Sequence, residues 1–227
     1  MRRIIERVVR AAGREYHVDP ALPRTFVAEE YARRSVQALR ALATWRRMSF
    51  RGPGVRVRCG ERLVVGPLAA IGEGSLVDAS GRRGVRLGRG AKLGRRVIVT
   101  TTSQLGKQGV GLRVGDFSGI GDYAHIGCSG GVSFGDNVIA GPYLTCHSQE
   151  HNTEDLATPI RLQGTREAEV VVGDDVWIGA RVTLLAGARI GDGCIVAAGS
   201  VVRGEFPPFS VIGGIPARVL KMRQEPH

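Results

Sequence analysis

Aromatic side chains are scarce in this chain: Phe, Tyr and Trp make up 5% of its 227 residues, against 33 glycines. A core built on large rings is therefore excluded, and small aliphatic side chains with many tight turns must carry the packing. Lysine is nearly missing as well. Only Lys92, Lys107 and Lys221 occur, so arginine supplies almost all of the formal net charge of +11. The four cysteines (Cys59, Cys128, Cys146 and Cys194) form no CxxC pair and no secreted-type framework. That pattern predicts reduced, buried thiols in a cytoplasmic protein. No stretch approaches the ~20 apolar residues of a membrane span. The start, MRRIIERVVRAAGREY, has charges where the apolar part of a secretory leader would sit. The expected location is the cytoplasm, with peripheral contact to the inner membrane face as an option.

The charge is not evenly spread. Residues 1–51 hold twelve arginines against five acidic residues. A basic end on a nearly neutral body points to an anionic partner such as a membrane surface. Nucleic acid fits less well, because no aromatic-interleaved platform accompanies the charge. The same region reads as helical. Ile4, Ile5, Val8, Val9 and Ala12 share one face, and Val27, Tyr31, Val36, Leu39 and Leu42 suggest a second helix. Asp19-Pro20 and Leu22-Pro23 separate the two, and Arg51-Gly-Pro-Gly54 closes the segment. The expected organisation is a basic helical segment over 1–54 followed by a single domain over 55–223.

Beyond residue 54 the period changes. Val172, Ile178, Leu184, Ile190, Val196 and Val202 recur at every sixth position. The same spacing runs through Val65, Ile71 and Val77, through Leu87, Leu93 and Val99, and through Val114, Ile120 and Ile126. Six suits neither a 3.6-residue helix nor simple strand alternation. It suits a mainly β architecture, a parallel β-helix in which each aliphatic side chain points inward onto the coil below. Glycine is expected to supply positive φ at the turns. An antiparallel sandwich competes, but it demands no constant period.

The repeat VGDDVWIGARVTLLAGARIGDGCIVAAGSVV and the ending FPPFSVIGGIPARVLK resemble the hexapeptide-repeat acyltransferases, whose closing segment reads G-x-P-A-R-V-[IL]-[KR]. The resemblance spans about 55–223 and is most specific in its last third. It implies a left-handed parallel β-helix with three hexapeptides per coil, usually in a homotrimer with sites between subunits. The nearest branch is similar to the sugar and polysaccharide O-acetyltransferases, including the maltose and galactoside enzymes. That likeness implies acetyl-CoA as donor and a sugar or glycan hydroxyl as acceptor.

The period breaks at residues 147–169, predicting an extruded loop. Long irregular loops on regular scaffolds commonly carry function. This one brings His147 and His151 four residues apart. Acyl transfer to a hydroxyl needs a base, and an imidazole with pKa of about 6.5 is suited to it. Aligned from Gly135 through Pro142, the resemblance places the family's catalytic histidine on His151, with His147 as the other candidate. Glu150, Glu154 and Asp155 are candidates for orienting the ring. The resemblance further implies donor binding by Trp177 and by backbone groups of Gly179, Ala180 and Ala198. It leaves Arg203, Arg218 and Lys221 for the nucleotide phosphates, with Gly204-Glu205 where relatives carry a Lys-Asp pair. No metal is expected. The competing reading is zinc held by His147 and His151 with Cys146, Glu150 or His125, since a carbonic anhydrase family uses the same architecture. N-acetylation of an amino sugar or antibiotic, and a non-catalytic scaffold, also remain open.

Overall fold

In the computed structural model the described residues are 18–101 and 106–223. Two compact units divide the chain, one ending at Val36 and the other beginning at Gln37. The first of the two expected helices lies outside the described residues. The second is present as one long helix, Arg24–Trp45. No helix among the described residues is long and apolar enough to cross a membrane.

From Phe50 onward the chain winds as a left-handed parallel β-helix with three faces. Face one is nine-stranded, from Phe50–Arg51 to the closing strand Ala217–Met222. Faces two and three have seven strands each. The first rung, Phe50–Arg51, pairs in parallel with Ala70–Ile71, so the ladder already starts inside the segment expected to be helical. In the last coils the six-residue period sets the register directly. Trp177 pairs with Ile195 and Thr183 with Val201, a separation of three hexapeptides. The final strand, Ala217–Met222, reverses and runs antiparallel to Ser210–Gly214.

Every inward position of the repeat is buried. Ile71, Leu93, Ile120, Ile178, Val196 and Ile212 stack behind face one, and Val77, Val99, Ile126, Cys146, Leu184 and Val202 behind face two. Behind face three lie Val65, Leu87, Val114, Phe134, Val172 and Ile190, with Phe134 the largest fully buried side chain among the described residues. Each such side chain contributes roughly 1.5–3 kcal/mol of burial energy, so the ladder is held by many small equal increments.

Glycine serves the corners in two ways: Gly74, Gly90, Gly193 and Gly199 supply the expected positive φ, at 68°, 63°, 66° and 73°. Gly141 and Gly179 are needed for close approach: a Cβ on either would lie 2.7 and 2.6 Å from the backbone nitrogens of Ala180 and Ala198 in the coil below. Positive φ falls two residues later, on Tyr143 and Arg181, at 60° and 58°. These left-handed residues point outward and meet one another. The rings of Tyr123 and Tyr143 stack at 5.2 Å, and the Arg181 guanidinium lies over Tyr143 at 5.4 Å. Such contacts offset part of the cost of left-handed backbone in non-glycine residues.

Among the described residues the two longest excursions from the ladder both leave it at the corner between faces two and three. The first lies between Ile98–Thr100 and Gly111–Val114. The second lies between Thr145–His147 and Val170–Val172. His147 itself stays in the wall, in register with Gly127, so the second excursion begins one residue later than the sequence suggested.

Candidate functional site

Ser148 is where the chain turns out of the wall. Its buried hydroxyl donates to the Gly127 carbonyl and accepts from the Gly130 N–H, both at 2.9 Å. After it, Gln149–His151 pairs antiparallel with Thr165–Glu167, making a two-stranded ribbon that carries the loop. Asn152 closes the ribbon, its side-chain amide donating to the Gln163 carbonyl at 3.0 Å and its N–H to the Gly164 carbonyl at 3.1 Å. Gln163 orders the tip by donating to the carbonyls of Asp155 and Thr158, each at 2.7 Å.

Strand alternation gives the ribbon two different faces. On one side Gln149, His151, Thr165 and Glu167 line a cavity of about 250 Å³, together with Lys107, Ser129, Arg161 and Leu162. Lys107 comes from the first excursion and pairs with Glu167 at 3.3 Å, joining the two excursions across the cavity. On the opposite side, one Glu150 carboxylate oxygen accepts from Arg166 at 2.9 Å, its cross-strand partner, and from Arg203 at 3.0 Å. Arg203 follows the strand Val201–Val202, so this bond ties the ribbon to the body of the ladder. Charge-assisted bonds of this kind are the strong ones, although both arginines are half-exposed. Glu150→Gln is expected to weaken the tie by about 1 kcal/mol. The result should be a several-fold faster proteolytic cut within 152–164, with the unfolding of the ladder unchanged.

His147 occupies a different place. Its ring lies beside Gly127, where an added Cβ would come within 3.0 Å of Nδ1, and it meets the His125 ring edge-on at 5.4 Å. Burial, and then the neighbouring His125, hold its pKa below the ordinary histidine value of 6.5, so the ring stays neutral in neutral solution. His151 alone of the two lines the cavity.

The other expected contributors divide into separate groups. Trp177 stands out of face one, 56% exposed, between Ile139 and Ile195. Gly179, Ala180 and Ala198 follow at the corner between faces one and two. There the ladder uses the Gly179 N–H, donated to Val196, and the Ala180 carbonyl, accepting from Gly199. Arg218 and Lys221 sit exposed on the reversed strand of face one. Arg203, expected among the phosphate ligands, is bound to Glu150 at the corner between faces two and three. Glu150 and Glu154 are engaged by Arg166, and Asp155 accepts from the Ala157 N–H. Cys146 points into the core, where burial pushes its thiol pKa far up. The proposed zinc set therefore does not converge, and among the described residues no three His, Cys, Asp or Glu side chains gather into a metal site.

Sequence reading missed Gln149, Lys107, Ser129, Arg161, Thr165 and Glu167. A signal for the first excursion was present. Val99 and Val114 are not separated by a multiple of six, so a departure had to lie between them.

Comparison with known proteins agrees with this architecture. Residues 169–204 match the family described as bacterial transferase hexapeptide (six repeats). The chain is 33% identical over 133 residues to the Probable acetyltransferase Rv3034c of Mycobacterium tuberculosis, covering 59% of this chain and 44% of that protein. It is 36% identical over 130 residues to the Escherichia coli K12 protein that bears the name lipopolysaccharide biosynthesis O-acetyl transferase WbbJ, covering 50% and 66%. The matched segment thus spans less than two thirds of either relative. A crystal structure of a mutant of AntD, an N-acyltransferase from Bacillus cereus in complex with dTDP and coenzyme A, superposes with a TM-score of 0.54. That match covers 78% of this chain and 85% of the other at 17% identity, which shows a shared fold.

Proposed function

The chain carries the bacterial transferase hexapeptide repeat in its last coils, and on that premise we propose that it is an acetyl-CoA-dependent O-acetyltransferase acting on a hydroxyl of a sugar or glycan precursor. The observation that carries the reading is His151, held on a hydrogen-bonded ribbon and facing a cavity of about 250 Å³ lined by polar side chains. Likeness to a relative named for lipopolysaccharide O-acetyl transfer supports a glycan acceptor.

His151 takes the proton from the acceptor hydroxyl as its oxygen attacks the thioester carbonyl. The tetrahedral adduct collapses with loss of the thiolate, which recovers the proton from the imidazolium. The products are an acetyl ester and a free thiol, and no covalent enzyme intermediate is required. At the donor site the Trp177 ring flanks the pantetheine arm, and the Gly179 carbonyl and the N–H groups of Ala180 and Ala198 pair with its amides. Arg218 and Lys221 face the nucleotide phosphates, where guanidinium and ammonium groups are favourable.

On one chain the ribbon lies at the corner between faces two and three, whereas Gly179, Ala180 and Ala198 lie across face two from it. A homotrimer, with each site shared between neighbouring copies, brings a histidine of one subunit to the donor groove of the next. In this reading the enzyme works in the cytoplasm, with its acceptor at the inner membrane face. An amine acceptor would be served by the same base.

The test is release of free thiol from acetyl-CoA in the presence of neutral sugars, amino sugars and glycan fragments. Turnover dependent on a hydroxyl acceptor is expected. Turnover only with amines would replace O- by N-acetylation, and no acceptor-dependent thiol release would overturn the reading.

A further inference from the structure

Residues 31–60 contain eight arginines and no aspartate or glutamate. Within this stretch the end of the long helix is seated by one side only. Ala41 is fully buried, Trp45 packs against the core, and the Arg51 guanidinium lies over the Trp45 ring at 5.7 Å. The other side is bare. Leu39 is 66% exposed and Leu42 49%, and Met48, just past the helix, is 66% exposed. Leu39, Leu42 and Arg46 follow helical spacing along one stripe, with Ala43 between them and the exposed Arg40 and Arg47 at its flank.

We propose that this stripe, Leu39, Leu42 and Arg46, with the exposed Met48 just past the helix and Arg40 and Arg47 at the flank, docks the protein on an anionic lipid surface. The chemistry is that of an interfacial helix: guanidinium groups meet lipid phosphates while the aliphatic side chains enter the boundary between headgroups and acyl chains. Arginine stems suit this, since their apolar part can lie along the boundary with the charge at phosphate level. A nucleic acid would use the same cations but leave the exposed leucines and methionine in water, and the stripe offers no ring for base stacking. The same stripe on a second copy would bring like charge against like. This inference concerns binding alone and stands whether or not the chain transfers acetyl groups.

The experiment uses the full chain and measures co-sedimentation with vesicles of phosphatidylcholine, with and without phosphatidylglycerol, at two salt concentrations. Light scattering is run alongside to follow oligomeric state. Binding is expected on the phosphatidylglycerol vesicles only, weakening as salt rises. Leu39→Ser/Leu42→Ser/Met48→Ser and, separately, Arg40→Gln/Arg46→Gln/Arg47→Gln should each reduce binding at least about tenfold while leaving thermal unfolding of the β-helix in place. Binding that survives both triple variants, or is equal on neutral vesicles, would overturn the proposal. So would a change of oligomeric state in the apolar variant with lipid binding unaltered, which would make the stripe a contact between copies. Tighter binding to duplex DNA than to anionic vesicles would sink it too.

Discussion

Replacing His151 with alanine is expected to slow acetyl transfer by about 10²–10⁴-fold, the usual worth of a positioned general base. In the proposed mechanism the imidazole moves a proton only as the hydroxyl oxygen attacks, so the loss should appear in kcat and substrate affinity should change little. His147→Ala provides the internal comparison. Its ring lies in the wall against Gly127 and His125 rather than in the cavity, so its removal should cost far less. Thiol release with acetyl-CoA and the best acceptor distinguishes the two. Full activity in His151→Ala with a dead His147→Ala would reverse the assignment and move the reaction onto face two.

The second large effect concerns the ladder. Phe134 is fully buried inside the prism, in register with Val114 above and Val172 below. Phe134→Ala is expected to cost about 3–5 kcal/mol, the transfer energy of the ring plus the cavity left between coils. In a stacked repeat each coil leans only on its neighbours, so the damage falls on the contacts between three adjacent coils. A denaturant titration should show the midpoint lowered, and Phe134→Leu should recover much of the loss. If the alanine variant unfolded at the wild-type midpoint, the inward stack would not be what holds these coils together.

Much of this molecule was legible in its sequence because a β-helix repeats one simple physical demand. Each sixth residue must be aliphatic and face inward, so Val172 through Val202 announced both the architecture and its phase. The corners were read less well. Glycine was expected to supply left-handed backbone and does so at Gly74, Gly90, Gly193 and Gly199, whereas at Gly141 and Gly179 the demand is for a missing Cβ and the left-handed turn falls on Tyr143 and Arg181. Those two demands leave the same letter in the sequence. The candidate site was legible only in part for a related reason. His147 and His151 both stood out by their chemistry and the family resemblance favoured His151, but Lys107 and Arg203 reach the ribbon from other excursions and coils, and no local pattern encodes that meeting. The Glu150–Arg203 bond, which anchors the loop, is one such meeting.

The two-sided ribbon also restricts how this loop can change over evolutionary time. Between Ser148, which marks the exit from the wall, and His151, the side chains alternate strictly between cavity and anchor. Inserting or deleting one residue there would exchange the two roles, turning His151 toward the arginines and Glu150 into the cavity. The stem therefore has a parity that must be kept. The tip, residues 152–164, has none. Lengthening or rewriting it alters the rim of the cavity without rotating the histidine, so under the proposed function acceptor preference can drift there while His151 stays in place.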